Sequence, residues 1–299
     1  MKRSGTPLSD RVFDLIVYIV VGFVIIVTLY PFLNVLAISL NNSSDTIKGG
    51  ITVIPRQFTL ENYSLIFSFD GLLTGLKISV LRTVIGTLLG LAASSMVAYV
   101  LSRADFDGRR FISTFLALTM YVSGGLIPFY LLLRDIHMLG TFSVYVLPGL
   151  VSAFNIFVIR SFIDGLPYAL QESATIDGAN DFTIYWRVVL PLTLPALATI
   201  ALFLAVGQWN SWFDTYMYNG SKEHLTTLQF ELMKVLQSTQ AGSTSGGVNG
   251  QSMNQVMSRI SPESVKMAIT IIVTVPILLV YPFLQRYFVK GMTLGAVKS

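Results

Sequence analysis

The chain has 299 residues, of which only 12% are Asp, Glu, Lys or Arg, whereas a soluble domain carries about 25%. A hydrophobic content of 53% and a mean hydropathy of +0.66 exclude a soluble enzyme, a secreted scaffold and a disordered chain, because so much apolar surface needs lipid around it. Cys is absent, so disulfides and thiolate nucleophiles are excluded. The net charge of +4 comes from basic residues at the ends of apolar runs, which is typical of membrane proteins and not of nucleic-acid binding.

The apolar residues lie in six windows without a charged residue or His, each long enough to cross a bilayer, which requires about 20 helical residues. Charged residues or His bound every window, as expected at the level of the lipid headgroups. We therefore predict an all-α polytopic membrane protein, with residues 1–299 forming one transmembrane domain. The six predicted spans lie near residues 15–40, 78–102, 111–133, 140–160, 190–213 and 267–288.

The distribution of Lys and Arg predicts the orientation of these spans. Lys2, Arg3 and Arg11 precede a first span that is too long for a secretory signal and has no small-residue cleavage site after it. With the N-terminus inside, the cytoplasmic segments hold a small excess of Lys and Arg over the external ones, among which Lys77 and Arg82 are counted. We therefore predict that both termini are cytoplasmic.

Small residues in the second span predict close helix packing. Gly86 and Gly90 form a Gly-x-x-x-Gly ridge, which lets helix backbones approach either within this chain or against a partner subunit. Ser94 and Ser95 continue the run of small residues. Because no His or Lys lies in the windows to act as a base, we interpret both serines as packing residues and not as nucleophiles.

The chain lacks the residues that intramembrane enzymes use. His137 and His224 lie outside the windows, no span holds a pair of carboxylates, and no Gly-x-x-x-x-Gly-Lys-Ser/Thr loop occurs, so any ATP is bound by another chain. Two alternatives stay open at this point. A secondary transporter would need an ionisable group within the windows, and a membrane-embedded transferase would depend on Asp105 or Asp107, which lie in a short basic turn.

Two of the segments between spans are long. Residues 214–265 are predicted to form an extracellular loop that includes the flexible tract Ala241–Gly250. Residues 165–190 are predicted to form a cytoplasmic helical hairpin, in which Gly178 supplies a turn of positive φ and Asp181 caps the second helix. An apolar face could dock into a partner's groove or rest on the membrane. It is formed by Leu166, Leu170, Trp186 and Leu190.

The hairpin carries a motif. Glu172-x-Ala174-x-x-x-Gly178, nine residues, and then Val188-x-Leu190-Pro191 resembles the coupling motif of ATP-binding-cassette (ABC) importer permeases, with Ser173 and Val188 departing from the common Ala and Ile. Residues 208–210 and 287–298 are similar to the carbohydrate class, in particular to the second permease of maltose-type importers and to permeases for polysaccharide-derived oligosaccharides.

This resemblance implies a type I ABC importer permease with six helices in the bacterial cytoplasmic membrane. The implied partners are a second homologous permease subunit, two ABC ATPase subunits, an extracellular solute-binding protein, an oligosaccharide substrate and membrane lipid, without nucleic acid. No cofactor is expected in this chain, because ATP and Mg are bound by the ATPase subunits. The implied ATPase-coupling residues are Glu172, Ser173, Ala174, Asp177, Gly178, Ala179, Leu190 and Pro191.

Polar and aromatic residues near the fourth and fifth spans predict a substrate path, because sugars bind to hydrogen-bonding groups and aromatic faces. These residues are Asn155, Gln208, Trp209, Asn210, Trp212 and Asp214. The resemblance further suggests that the small-residue tail Gly291–Ser299 reaches the ATPase dimer, the alternative being a frayed terminus.

Overall fold

The computed structural model describes residues 8–68, 70–241 and 261–296, and within these ranges the chain is helical apart from turns, loops and one isolated antiparallel bridge between Asn41 and Phe58. The prediction of an all-α fold is therefore confirmed. The helices are α1 (Leu8–Ser39), α2 (Ser43–Thr46), α3 (Glu61–Phe67), α4 (Asp70–Ser102), α5 (Arg109–Tyr121), α6 (Leu126–Asp135), α7 (Ala153–Asp164), α8 (Ala169–Ile176), α9 (Asp181–Ile184), α10 (Leu190–Leu192), α11 (Leu194–Asn210), α12 (Phe213–Asn219), α13 (Leu228–Ala241) and α14 (Pro262–Ala296). Three 3₁₀ turns and one π-helical segment complete the description: Phe142–Tyr145, Leu147–Gly149, Glu223–Leu225 and, as the π segment, Tyr185–Val189.

The described helices provide up to six candidate membrane spans by length and composition. Three are single helices, within α1, α4 and α14, and three are pairs of helices bent at a short break. The described residues bury none of the apolar window of α1, which is hydrophobic on all sides, as expected of a helix that faces lipid or another subunit.

The third predicted span, near residues 111–133, is two helices and not one. α5 ends at Tyr121, α6 begins at Leu126, and the two axes differ by 118°. Gly125 has a φ of 85°, which takes the chain out of the right-handed helical region, and Pro128 then lies in the first turn of α6, where its missing N–H costs no hydrogen bond. Gly124, Gly125 and Pro128 in the sequence predict a loosened or kinked helix in this span, and the structure shows a complete break at this point.

The last helix is longer than predicted. α14 is continuous through Pro276 and Pro282 and runs to Ala296, so residues 291–296 of the proposed tail are helical and not a separate extension. The remaining tail residues, 297–299, lie outside the described residues, as do Lys2, Arg3 and residues 242–250 of the Gly- and Ser-rich tract.

The chain divides into two compact units, and the first contains residues 8–68 with residues 235–241 and 261–274. Within it, the loop after α1 is held by buried polar groups. Asp45 accepts hydrogen bonds from Asn41 Nδ2 at 3.2 Å and from Arg56 Nε at 2.9 Å, which together lower the pKa of its carboxyl group. Asn62 Nδ2 donates to the carbonyl groups of Ser39 and Asn41, both at 2.9 Å. These bonds hold the loop in one conformation.

The second unit contains residues 70–234 and 275–296, and α4 lies at its centre. α4 packs most extensively against α11 and then α7. The core between them consists of aliphatic side chains that are almost fully buried, among them Ala98, Leu101, Ile156, Ile159, Ile184 and Ile200.

The Gly-x-x-x-Gly ridge of α4 is used within the chain. A Cβ at Gly86 would lie 2.8 Å from Gln208 Nε2, and a Cβ at Gly90 would lie 3.4 Å from Leu204 Cδ1, so both glycines face α11. The close approach of α4 and α11 therefore requires glycine at position 86, while position 90 has room for a methyl group.

Candidate functional site

The hairpin predicted at residues 165–190 begins with α8 and a tight turn. α8 ends in a Schellman arrangement: the Ala179 N–H donates to the Ala174 carbonyl group and the Gly178 N–H donates to the Thr175 carbonyl group, both at 3.0 Å. Gly178 has the positive φ, 82°, that the motif predicted. The spacing Ala174-x-x-x-Gly178 is thus the spacing between the third-last residue of a helix and the left-handed residue after it.

The second helix of the hairpin is capped one residue earlier than predicted. Asn180 Oδ1 accepts a hydrogen bond from the Thr183 N–H at 2.8 Å, so Asn180, and not Asp181, is the N-cap of α9. Asp181 is instead the first helical residue, where its negative charge is favourable beside the helix N-terminus. Either residue type can cap a helix, and the sequence alone did not distinguish them.

α9 continues into a π-helical segment, Tyr185–Val189, and then into α10. The axes of the segments Asp181–Leu192 and Leu194–Asn210 differ by 82°. Thr193 lies at this bend, and its Oγ1 donates to the Val189 carbonyl group at 2.9 Å. Pro191 and Pro195 flank the bend and cannot donate a backbone hydrogen bond, which explains why the regular helix is interrupted here.

One side of the hairpin is buried and the other is exposed. Ile184 and Val189 belong to the core around α4, and Ala174, Ala179 and Leu190 pack partly against that core. The opposite side exposes Glu172, Ser173, Asp177 and Pro191. The surface also displays large apolar side chains, which are Tyr168 (57% exposed), Leu170 (41%), Ile176 (81%), Phe182 (65%) and Trp186 (57%).

The sequence prediction of the apolar face was partly wrong. Leu170 and Trp186 are exposed as predicted, but Leu166 and Leu190 are half-buried. Ile176 and Phe182 were missed, although they are the more exposed side chains, and the Phe182 ring stacks on that of Trp186 with centroids 6.5 Å apart. The π segment changes the register after Ile184, so a regular helical period does not predict which side each residue faces.

The end of α11 and the start of α12 hold most of the predicted substrate-path residues, and here a buried ion pair dominates. Arg82 of α4, with 2% of its side chain exposed, forms a bidentate salt bridge with Asp214. Arg82 Nε also donates to Gln208 Oε1 at 3.0 Å, and its guanidinium lies over the Tyr145 ring, 4.5 Å from the centroid. In the sequence, Arg82 was counted only among the external Lys and Arg residues. The sequence did not indicate the buried ion pair, because Asp214 lies far along the chain.

These contacts leave different roles for the predicted substrate-path residues. Gln208 and Asp214 bind Arg82, and Asn155 and Trp209 are buried, so none of these four is fully exposed. Asn210 is exposed and Trp212 is half-buried.

Another aromatic ring, that of Tyr216, lies beside Trp212. Tyr216 is 59% exposed, and its ring centroid lies 6.5 Å from that of Trp212. Gln229 Nε2 donates to Asn210 Oδ1 at 3.1 Å. The four residues Asn210, Trp212, Tyr216 and Gln229 are called the α11–α12 surface below. Trp212 and Tyr216 lie four residues apart on one side of α12, a spacing in the sequence that could have revealed Tyr216.

Within the described ranges, no group of three or more His, Cys, Asp or Glu side chains is placed to hold a metal ion.

The chain is similar to known transport proteins over nearly its whole length. The family profile described as binding-protein-dependent transport system inner membrane component matches residues 86–294. Polygalacturonan/rhamnogalacturonan transport system permease protein YtcP of Bacillus subtilis is 36% identical over 98% of this chain and 100% of the relative. Arabinooligosaccharides transport system permease protein AraQ of Halalkalibacterium halodurans is 29% identical over 100% of both chains. Among solved structures, a chain of a bacterial ABC transporter involved in the import of the acidic polysaccharide alginate has 28% identity and a TM-score of 0.81, covering 95% of this chain and 99% of that chain.

Proposed function

Because the chain belongs to the inner membrane components of binding-protein-dependent transport systems, we propose that its hairpin, residues 165–190, is the element through which ATPase subunits drive sugar import. The chain is a non-catalytic, multi-pass permease subunit of an ABC importer for sugars or oligosaccharides in the inner membrane, and nucleotide is bound by its ATPase partners. The two alternatives, a secondary transporter and a membrane-embedded transferase, are set aside by this membership.

The exposed side of the hairpin carries the proposal. Ile176, Phe182 and Trp186 present apolar area to water, which is unfavourable unless another protein or lipid covers it. Glu172 and Asp177 lie on the exposed part of the same hairpin, and anionic side chains suit a protein groove with matching donors better than an anionic lipid surface. The Schellman turn and the Asn180 cap fix the backbone before docking, so little conformational entropy is lost on binding.

The importer's cycle follows from this docking. ATP binding closes the ATPase subunits on each other, the docked hairpin moves with them, and the permease bundle shifts between inward and outward openings without chemical change to the sugar. The proposed assembly has a second homologous permease, two ATPase subunits and an extracellular solute-binding protein. In it, the unburied apolar window of α1 supplies area for lipid or for the second permease.

We propose the α11–α12 surface as a place where the oligosaccharide touches this chain. The rings of Trp212 and Tyr216 offer faces for the C–H groups of a sugar, and the amides of Asn210 and Gln229 offer hydrogen bonds to its hydroxyl groups. The salt bridge between Arg82 and Asp214 holds the start of α12 beneath these rings.

The docking proposal is tested by co-purification of the ATPase subunits with the permease. Glu172→Lys reverses an exposed charge on the hairpin, and Glu223→Lys makes the same change at an exposed site in the loop after α12. We expect Glu172→Lys to retain less ATPase while its amount in the membrane is unchanged, and Glu223→Lys to retain the wild-type amount. Equal ATPase retention in both variants would refute docking at Glu172.

The substrate proposal is tested by uptake in proteoliposomes that contain the whole complex and the binding protein. Trp212→Ala and Tyr216→Ala should raise the KM for oligosaccharide uptake, while ATPase retention stays normal. Tyr121→Ala removes an aromatic ring that is 88% exposed at the end of α5, and it serves as the control. Unchanged KM in both α12 variants would remove this surface from the substrate path.

A further inference from the structure

Two polar contacts join the hairpin to α4 and its end, and neither involves a position that the coupling motif specifies. The first is an ion pair between Arg103, which directly follows α4, and Asp181 of α9. The second is a hydrogen bond between Ser95 of α4 and Tyr185, the first residue of the π segment. These four residues are called the α4–hairpin link.

Arg103 is held in place by its neighbour in the turn after α4. Its Nε donates to Asp105 Oδ1 at 2.9 Å and its Nη2 donates to Asp105 Oδ2 at 2.7 Å, while Nη1 lies 3.3 Å from Asp181 Oδ1. The planar guanidinium is therefore fixed on two sides. Asp105 raises the pKa of Arg103, and Arg103 lowers the pKa of Asp105, so both groups stay charged at neutral pH.

The exposure of these groups argues against a role in stability alone. The Arg103 side chain is 17% exposed, but the carboxylates of Asp105 and Asp181 are 64% and 72% exposed. Ion pairs with exposed partners contribute little to the free energy of folding. Such a pair can nevertheless define the position of α9 relative to the end of α4.

The second contact is buried. Ser95 Oγ and the Tyr185 hydroxyl group are 2.8 Å apart, and both side chains are almost fully inaccessible to solvent. The Tyr185 ring also lies against that of Tyr99, with centroids 5.4 Å apart. Ser95, which the sequence suggested to be only a packing residue, thus forms a polar contact to the hairpin that water does not weaken.

The covalent route from the hairpin to the bundle is interrupted. It runs through the π segment, Pro191 and the 82° bend at Thr193 before it reaches α11. The α4–hairpin link bypasses these breaks, because it joins α9 and Tyr185 directly to the unbroken helix α4.

We propose that the α4–hairpin link transmits movement of the ATPase-docked hairpin to α4, and that Arg103 and Tyr185 are positioning residues for sugar transport. The inference rests on the proposed function of the hairpin as the docking element. α4 also carries Arg82, which lies about 30 Å from Ser102 along the helix and holds the start of α12. A displacement of the C-terminal end of α4 by the hairpin is therefore passed to the α11–α12 surface through Arg82, which lies in the N-terminal half of α4.

The test measures sugar imported per ATP hydrolysed in proteoliposomes with the complete transporter and binding protein. Three variants weaken the link. Arg103→Ala and Asp181→Asn both remove the ion pair, the first also losing the bonds to Asp105, and Tyr185→Phe keeps the ring and removes only the hydroxyl group. Arg134→Ala is the matched control, because it deletes an exposed Arg whose partner is the adjacent Asp135. We expect normal ATPase retention, continued hydrolysis, and at least about a fivefold fall in sugar per ATP for the link variants, corresponding to a modest coupling energy.

Further readouts separate this inference from the docking proposal and from loss of structure. Arg103→Lys should recover part of the ratio, and the double variant Arg103→Ala with Asp181→Asn should be no worse than the poorer single variant, because both remove the same contact. If Arg103→Ala fails to assemble, Asp181→Asn and Tyr185→Phe decide the question. An unchanged ratio in assembled Asp181→Asn and Tyr185→Phe complexes overturns the link. Retention of ATPase by Glu172→Lys contradicts instead the docking proposal.

Discussion

Arg82 combines a full charge, near-complete burial and a partner on a distant part of the chain. Taking a guanidinium and a carboxylate out of water costs several kcal/mol each, and the bidentate geometry with Asp214 offsets this only while both partners are present. Gln208 and Tyr145 complete the contacts around the guanidinium. An ionisable side chain within a span is usually functional, and here its effect is to fix α12 onto α4.

We predict that Arg82→Met destabilises the permease strongly, by about 3–5 kcal/mol, because it leaves the Asp214 carboxylate without its partner. Thermal unfolding of the purified complex measures the effect, with Arg134→Met, at an exposed Arg–Asp pair, as the control. Adding Asp214→Asn to Arg82→Met should recover part of the loss. Equal unfolding temperatures for Arg82→Met and Arg134→Met would show that the buried pair is not required.

Gly86 and Gly90 of α4 differ in how much space surrounds them, so alanine substitutions at the two positions should have different effects. Gly86→Ala places a methyl group 2.8 Å from the Gln208 amide, which cannot move without losing its bonds to Arg82 and to the Tyr145 carbonyl group. We expect this variant to unfold at a lower temperature. Gly90→Ala meets Leu204 at an ordinary contact distance and gains helix propensity, so it should be neutral or stabilising. The same loss in both variants would contradict a specific contact at Gly86.

At the scale of elements, the hairpin shows how a sequence motif encodes a turn. Gly178 supplies the left-handed residue of the Schellman arrangement, and no described atom within 4 Å restricts the space where its Cβ would lie. The requirement for glycine is thus a requirement of the backbone and not of space within this chain.

We therefore predict that Gly178→Asn keeps sugar uptake near the wild-type rate, because Asn tolerates the left-handed region, whereas Gly178→Val lowers it. Valine in the left-handed region is strained by about 1–2 kcal/mol. The turn therefore strains or opens, and in both cases the hydrogen bond from the Ala179 N–H to the Ala174 carbonyl group is weakened. Sugar uptake and ATPase retention are measured side by side for both variants, which separates a loss of docking from a loss of transport by a docked complex. Similar uptake for the Val and Asn variants would show that the turn conformation does not matter.

The elements that the sequence predicted are those with a local signal. Apolar runs between charges predicted six spans, and the described helices provide up to six candidates by length and composition. A contiguous motif predicted the turn at Gly178, which has the expected positive φ. Gly125 and Pro128 indicated a bend in the third span but not its angle of 118°, because glycines within an apolar run are compatible with a helix or with a turn. The Arg82–Asp214 pair, the Ser95–Tyr185 bond and the face of the π segment depend on contacts between distant parts of the chain, which no single window of sequence contains.

At the scale of the whole molecule, the predicted orientation places the hairpin in the cytoplasm and the loop after α12 outside. The absence of Cys makes this testable, because a single introduced Cys is the only thiol. We expect Ser221→Cys to react with an impermeant thiol reagent added to intact cells, and Ser173→Cys to react only after the membrane is opened. Both positions are exposed, so accessibility within the chain does not bias the comparison. Labelling of Ser173→Cys from outside intact cells would show that the predicted orientation is wrong.

The central claim is that this chain moves sugar because ATPase subunits act on its hairpin, and oligosaccharide uptake into proteoliposomes tests it most directly. The complete complex is reconstituted with the binding protein, and labelled oligosaccharide is followed with and without ATP for the wild type and for Glu172→Lys. The account predicts uptake that requires both ATP and the binding protein, and that falls in Glu172→Lys although the permease is inserted normally. Uptake that proceeds without ATP, or that is unchanged in Glu172→Lys, would contradict it.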